Sequence, residues 1–170
     1  ITLQINAFHF PVWGLLEKFA PAFLAGVPTL AKPATPTAHV AEALVRTMLE
    51  SGLLPEGSLQ LLVGSVGDLF DALDHRDSVF FTGSKATADR LRRHPAFLER
   101  GALFNAEADS LNPAILGEKA TEEELSRLAQ EIAQELVIKT GQRCTAIRRV
   151  VAPKARREAL RRATQKRLES

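Results

Sequence analysis

One cysteine, Cys144, stands in 170 residues. That excludes an internal disulfide and points to a reducing compartment, so the cytoplasm is the expected location. Long apolar runs are missing too. None reaches the roughly 18 residues of a membrane span, and the longest candidate, Phe19 to Ala31, is broken by Pro21, Gly26 and Pro28. No membrane partner is therefore expected, and no signal-peptide pattern is visible. The histidines His9, His39, His75 and His94 are scattered without metal-ligand spacing, so no metal site is expected. An initiating Met is absent: Ile1-Thr2-Leu3-Gln4-Ile5 reads as the inside of a strand, which suggests a fragment or processed piece. No internal repeat or low-complexity segment occurs.

Hydrophobic residues make up 45% and charged residues 25%, an ordinary balance for a globular protein. The length fits one domain, or one domain with part of another. The net charge of +2 hides an asymmetry: Arg143 to Ser170 carries ten Lys or Arg against two Glu. Arg156-Arg157 and Arg161-Arg162 fall on adjacent helix faces and no aromatics interleave, which argues for a solvated helix face and against a nucleic-acid partner.

Strand and helix patterns alternate along the chain. Leu3 to Phe8 predicts a strand, and Val12 to Leu24 a helix with Leu15, Leu16, Phe19 and Phe23 on one face and a kink at Pro21. Val27 to Ala31 is a second strand. The spacing then predicts a helix over Ala38 to Ser51, a third strand over Ser58 to Val63, and a short helix ending near Leu73. Asp77 to Phe81 is strand four, followed by a helix to about Arg93. Ala102 to Ala106 is strand five, and Pro113 to Leu116 is a candidate extension of the same sheet. Thr121-Glu122-Glu123-Glu124 is a capping box that opens a helix with Leu125, Leu128, Ile132 and Leu136 inward. Ile147 to Ala152 is a last strand, and Pro153 starts a last helix. The expected fold is α/β, a Rossmann-like parallel sheet with helices on both faces, its functional site beyond the strand C-termini.

The strand-to-helix junctions carry small and polar residues. Thr82-Gly83-Ser84 places backbone N–H groups and a hydroxyl at a helix start, which suits a phosphate; Ser84 is equally suited to cap that helix. The Gly-x-Gly-x-x-Gly fingerprint is absent, and Gly64-x-x-Gly67 is too short to replace it. Taken together, Ile5-Asn6-Ala7-Phe8-His9-Phe10-Pro11, Lys32-Pro33-Ala34-Thr35-Pro36-Thr37, Phe81-Thr82-Gly83-Ser84, Glu107-Ala108-Asp109-Ser110-Leu111-Asn112 and Gly141-Gln142-Arg143-Cys144 occur in the order and spacing of the aldehyde dehydrogenase superfamily. The resemblance runs from about Thr2 to Leu168. Within it, Asn105 to Asn112 and Cys144-Thr145-Ala146-Ile147-Arg148-Arg149 resemble the CoA-linked semialdehyde dehydrogenases of aerobic aromatic degradation.

The resemblance implies a set of roles. Cys144 would be the nucleophile that attacks the aldehyde carbon, giving a thiohemiacetal and then a thioester. Glu107 would be the general base; Asn105 competes for that position when the strings are anchored on Ser110-x-Asn112, but an amide cannot act as a base. His9 stands where the family has its oxyanion-hole asparagine, and a neutral imidazole can donate one hydrogen bond. Lys32 and Ser84 would hold cofactor ribose and phosphate, Phe81, Thr82 and Gly83 would shape the nicotinamide end, and Gly64 would admit the adenine side. Thr35 replaces the acid that many NAD-preferring relatives carry, which favours NADP, with NAD the alternative. Ala88 stands where many relatives have Gly. The implied organisation is a cofactor-domain core over residues 1–139 and a nucleophile loop with the start of a truncated catalytic domain over 140–170. The implied partner is a small-molecule aldehyde, CoA-linked in the subgroup, and the intact protein would be a homo-oligomer. A non-catalytic dinucleotide-binding fragment, inactive without the family's further segments, is the competing reading.

Overall fold

A computed structural model describes residues 1–169. The chain divides into two compact units, Ile1–Asp109 and Ser110–Ser170. Residues 139 and 140 both lie in the second unit, where the helix before them packs with the helix after them in one core.

The first unit alternates strand and helix as the apolar patterning dictates. Its strands are β1 (Thr2–Ile5), β2 (Thr29–Lys32), β3 (Leu59–Leu61), β4 (Ser78–Gly83) and β5 (Leu103–Ala108); its helices are α1 (Trp13–Leu24), α2 (Ala38–Glu50), α3 (Lys85–Leu91) and α4 (Pro95–Leu98). The strands form one parallel sheet in the order β3-β2-β1-β4-β5. Successive side chains of a strand point to opposite faces. Leu3 and Val79, partners in the register, therefore join Phe70, Leu73, Ala96 and Ala102 in one core. Ala31 and Leu59 face the other way and pack against Leu15 and Phe19 of α1 and Ala41 and Val45 of α2. Gln4 is fully buried on the α1 side. In the amide orientation that satisfies both of its ends, its nitrogen donates to the Leu15 carbonyl (3.1 Å) and its oxygen accepts from the Phe19 N–H (3.0 Å).

Several expected boundaries shift. β1 stops at Ile5 rather than Phe8, whereas α1 (Trp13–Leu24) contains Pro21 and ends at Leu24 as expected. The predicted short helix after Gly64 condenses to one 3-10 turn, Leu69–Ala72, with Arg100 donating to the carbonyls of Leu73 (3.0 Å) and Phe70 (2.8 Å). The helix expected to reach Arg93 ends at Leu91, and Pro95 starts α4 with His94 as its cap.

The second unit holds β6 (Asn112–Ile115), α5 (Glu122–Val137), β7 (Ile147–Val151) and α6 (Arg157–Leu168). The segment expected to extend the large sheet is β6, and it pairs in parallel with β7 in a separate two-stranded sheet. The reason is a second apolar demand: Leu125, Ala129 and Ile132 of α5 and Leu160 of α6 bury against Leu116 and Ala152 at the ends of these strands. The capping box forms as its sequence requires, with the Thr121 hydroxyl accepting from the Glu124 N–H (3.2 Å) and the Glu124 carboxylate accepting from the Thr121 N–H (2.7 Å). Leu136, expected inward, is 46% exposed, since the last turn of α5 runs past the core.

Candidate active site

The junction residues of the first unit gather at the C-terminal ends of its parallel strands, where open α/β sheets bind ligands. Beyond β1, the Asn6 N–H donates to the Lys32 carbonyl (3.0 Å), and His9 lies edge-on to Phe10, with ring centroids 5.1 Å apart. Lys32 ends β2 half-buried, and Thr35 opens an exposed 3-10 turn, Thr35–Thr37. Gly64 follows β3 with φ 122°, in the left-handed region that favours glycine, and no heavy atom lies within 4 Å of where a β-carbon would sit.

On β4, Phe81 is buried and stacks on Phe104 at 6.5 Å. A β-carbon on Gly83 would lie 2.5 Å from the Phe81 ring, so the ring claims the space a side chain would take. Thr82, opposite Glu107 in the register, has its Oγ1 buried and without a hydrogen-bond partner among the described residues. An orphaned hydroxyl beside a side-chain-free residue at a strand C-terminus is what a polar cofactor would satisfy, and the residues present fit a dinucleotide in that respect. Ser84 caps α3, its hydroxyl accepting from the Thr87 N–H (3.3 Å) and donating to Thr87 Oγ1 (3.0 Å). The Lys85 N–H donates to the Asp109 carboxylate (3.1 Å), so a protein anion already uses the helix start that the sequence offers to phosphate.

Glu107 lies on β5, its side chain 58% exposed, and forms an ion pair with Lys18 Nζ at 3.4 Å. Asn105 is two residues back on the same strand and also exposed. Lys18 escaped the sequence reading, although a signal was there: it falls on the inward stripe of α1, between Leu15 and Phe19. Its side chain is 7% exposed, and its ammonium also meets Glu17 at 2.5 Å.

Within the second unit, Cys144 is a free, exposed cysteine. It sits in a turn closed by the Ala146 N–H donating to the Arg143 carbonyl (3.3 Å). The Arg143 guanidinium pairs with Glu135 at the end of α5, and Arg148 of β7 donates to the Gly141 carbonyl (2.6 Å). From β6 and the residue pair before it, Asn112 Nδ2 (2.6 Å) and Ser110 Oγ both donate to the Cys144 carbonyl. Among the described residues, no group of three or more His, Cys, Asp or Glu could hold a metal ion.

A parallel α/β sheet with helices on both faces and polar strand ends is the architecture of a Rossmann-like fold. The Aldehyde dehydrogenase family model matches residues 1–170, and the chain belongs to that family. It is 50% identical over 155 residues to the 3,4-dehydroadipyl-CoA semialdehyde dehydrogenase of Aromatoleum evansii, covering 90% of this chain and 30% of that protein. It is 33% identical over 150 residues to the alpha-ketoglutaric semialdehyde dehydrogenase of Bacillus subtilis, covering 86% of this chain and 30% of that protein. The chain thus spans about 30% of the length of these curated relatives. Among solved structures, the indole-3-acetaldehyde dehydrogenase of P. syringae in complex with NAD+ superposes with TM-score 0.86 at 22% identity, over 99% of this chain and 34% of that one. The NADP-dependent glyceraldehyde-3-phosphate dehydrogenase of Bacillus halodurans complexed with NADP superposes with TM-score 0.82 at 28% identity, again over 99% of this chain and 34% of that one. Among the described residues, no helix is long and apolar enough to cross a membrane.

Proposed function

We propose that the protein to which this chain belongs oxidises a CoA-linked semialdehyde to the acid, with Cys144 as nucleophile and NADP as cofactor. The observation that carries this reading is the exposure of Cys144 on a turn held from three sides, in a chain of this family. The substrate class is supported by the 50% identity to a protein named for a CoA-linked semialdehyde.

The chemistry follows from the side chains. The Cys144 thiolate adds to the aldehyde carbon; an S–C bond forms and the carbonyl electron pair moves to oxygen, giving a thiohemiacetal. His9 is the donor offered to that developing oxyanion. A nicotinamide dinucleotide, when bound, would supply the acceptor for the hydride that leaves the thiohemiacetal carbon; the oxygen electron pair re-forms the carbonyl, leaving a thioester on Cys144. Glu107 takes a proton from the water that attacks the thioester carbon, releasing the acid and returning Cys144 to the thiol state. Lys32, Gly64, Phe81, Thr82, Gly83 and Ser84 would hold the dinucleotide. Thr35 leaves the turn after β2 without a carboxylate, which removes the repulsion that a 2′-phosphate would meet there. The reading makes the intact protein a cytoplasmic homo-oligomer acting on a small molecule.

The test is substitution in the full-length protein with aldehyde oxidation followed by nucleotide absorbance. Cys144→Ala is expected to abolish turnover while calorimetry still detects NADP binding; unchanged turnover overturns the assignment. Thr35→Glu is expected to weaken NADP binding and leave NAD binding nearly unaltered. An equal effect on both nucleotides removes Thr35 from the specificity argument.

A further inference from the structure

The thiol of Cys144 is exposed, and no hydrogen bond among the described residues reaches its sulfur. Whatever orients it must act through the backbone. The segment that carries it is costly to hold: Lys139 (φ 50°), Thr140 (φ 54°) and Gly141 (φ 67°) are left-handed in succession, and two of them bear side chains that penalise this conformation. Side chains among the described residues restrain the segment. Arg148 holds the Gly141 carbonyl and Glu135 holds Arg143, while Ser110 and Asn112 bond the peptide group of Cys144 itself.

We infer that Asn112 and Ser110 form a clamp on the Cys144 carbonyl and are positioning residues for the nucleophile; the inference rests on the proposed role of Cys144. Asn112 Nδ2 donates to the Cys144 carbonyl at 2.6 Å and to Ser110 Oγ at 2.8 Å, with a longer contact to the Ala146 carbonyl at 3.3 Å. The Ser110 hydroxyl accepts from Asn112 and donates to the same Cys144 oxygen, so each bond polarises the next. Both acceptor sites of the carbonyl are thereby used. A peptide group is planar and trans, so fixing this C=O also fixes the Thr145 N–H on its far side and the torsion that sets the direction of the Cys144 side chain. Asn112 itself is anchored by β6, whose pairing with β7 brings it opposite Ile147, three residues beyond the cysteine. The clamp ties the nucleophile to the adjacent strand rather than to its own loop.

Asparagine is required by donor count. An aspartate of the same shape offers only acceptors and would face the Cys144 and Ala146 carbonyls without a proton to share. In the full-length protein, Asn112→Asp and Asn112→Ala are therefore expected to lower kcat by about 10- to 100-fold, the usual cost of a small misplacement of a reacting group. KM for the dinucleotide should stay within about twofold, since the cofactor residues belong to the first unit. Ser110→Ala should reduce kcat several-fold, and Ser110→Thr, which keeps the hydroxyl, should restore it. The rate of Cys144 alkylation by iodoacetamide should change in the Asn112 variants and not in Ser110→Thr. A wild-type kcat and alkylation rate in Asn112→Asp overturns the clamp. So does a loss of kcat in Ser110→Ala that Ser110→Thr does not recover. If the Asn112 variants fail to fold by thermal melting, the two Ser110 variants decide alone. If Cys144→Ala retains turnover, the parent reading fails, and the alkylation rates still report whether Asn112 orients the thiol.

Discussion

Lys18 shows how charge is managed at a single residue of this fold. Its ammonium is buried, while both of its partners reach water: Glu17 is 31% exposed and Glu107 58%. The two ways of breaking the group are therefore unequal. Removing the cation leaves two carboxylates that solvent can hydrate. Removing both carboxylates strands a buried charge, which typically costs about 3–5 kcal/mol. Glu17→Ala combined with Glu107→Ala is thus expected to lower the unfolding free energy by that order, and either single change by much less, because one partner remains. Urea denaturation of the four proteins checks this, and additive single-mutant losses would refute the shared-partner account. The same residue marks a limit of sequence reading. Glu107 could be picked out between two alanines past a strand, but its cation came from α1, nearly ninety residues away, and only the sheet order brings β5 and α1 together. Ser110 and Asn112 were visible as a string, yet their bonds to the Cys144 carbonyl depend on a strand pairing that no local pattern encodes.

At the scale of elements, what was legible was whatever local chemistry decides. The capping box at Thr121 named its own helix start, and apolar runs named the strands of the large sheet, whose core residues Leu3, Ala31, Leu59 and Val79 are buried. β6 was misassigned for the opposite reason: four residues with alternating exposure say that they are a strand and nothing about which strand they join. The helices also carry a pH signature. Hydrogen bonds from the Thr121 N–H and hydroxyl hold the Glu124 carboxyl below its ordinary range. Bonds from Arg161 and then Arg162 lower Glu158 from the usual 4.5 to about 2. A carboxylate whose folded-state pKa is depressed adds stability that is complete above its unfolded pKa and is lost as pH falls through the folded value. Stability should therefore decline between about pH 4.5 and about pH 2 in part through Glu158. Glu158→Gln is expected to flatten the slope of the denaturation midpoint against pH in that window and leave it unchanged at pH 7 relative to pH 6. Thr121→Ala removes the helix cap and should cost about 1 kcal/mol at neutral pH.

At the scale of the whole molecule, the two units differ in how well each closes on itself. The first buries its central strands under helices and turns on both faces. Among the described residues, the second has a two-stranded sheet in which each strand has one edge without a strand partner, and its residues Ile115, Val150 and Val151 are 71%, 43% and 53% exposed. Ile115 and Val151 are register partners and so share a face. An exposed apolar strand pair with open edges is a template for association. The 170-residue chain expressed by itself is expected to associate with rising concentration and to bind a hydrophobic dye. Placing a lysine at 115 and a glutamate at 151 puts opposite charges directly across the pair, which favours the existing register while making the face polar. Ile115→Lys with Val151→Glu should therefore shift the chain toward monomer in sedimentation and weaken dye binding without loss of helical signal. Persistent association in that variant would move the sticky surface elsewhere, to the exposed Leu136, Val137 and Ile138 at the end of α5, where Val137→Glu is the corresponding change.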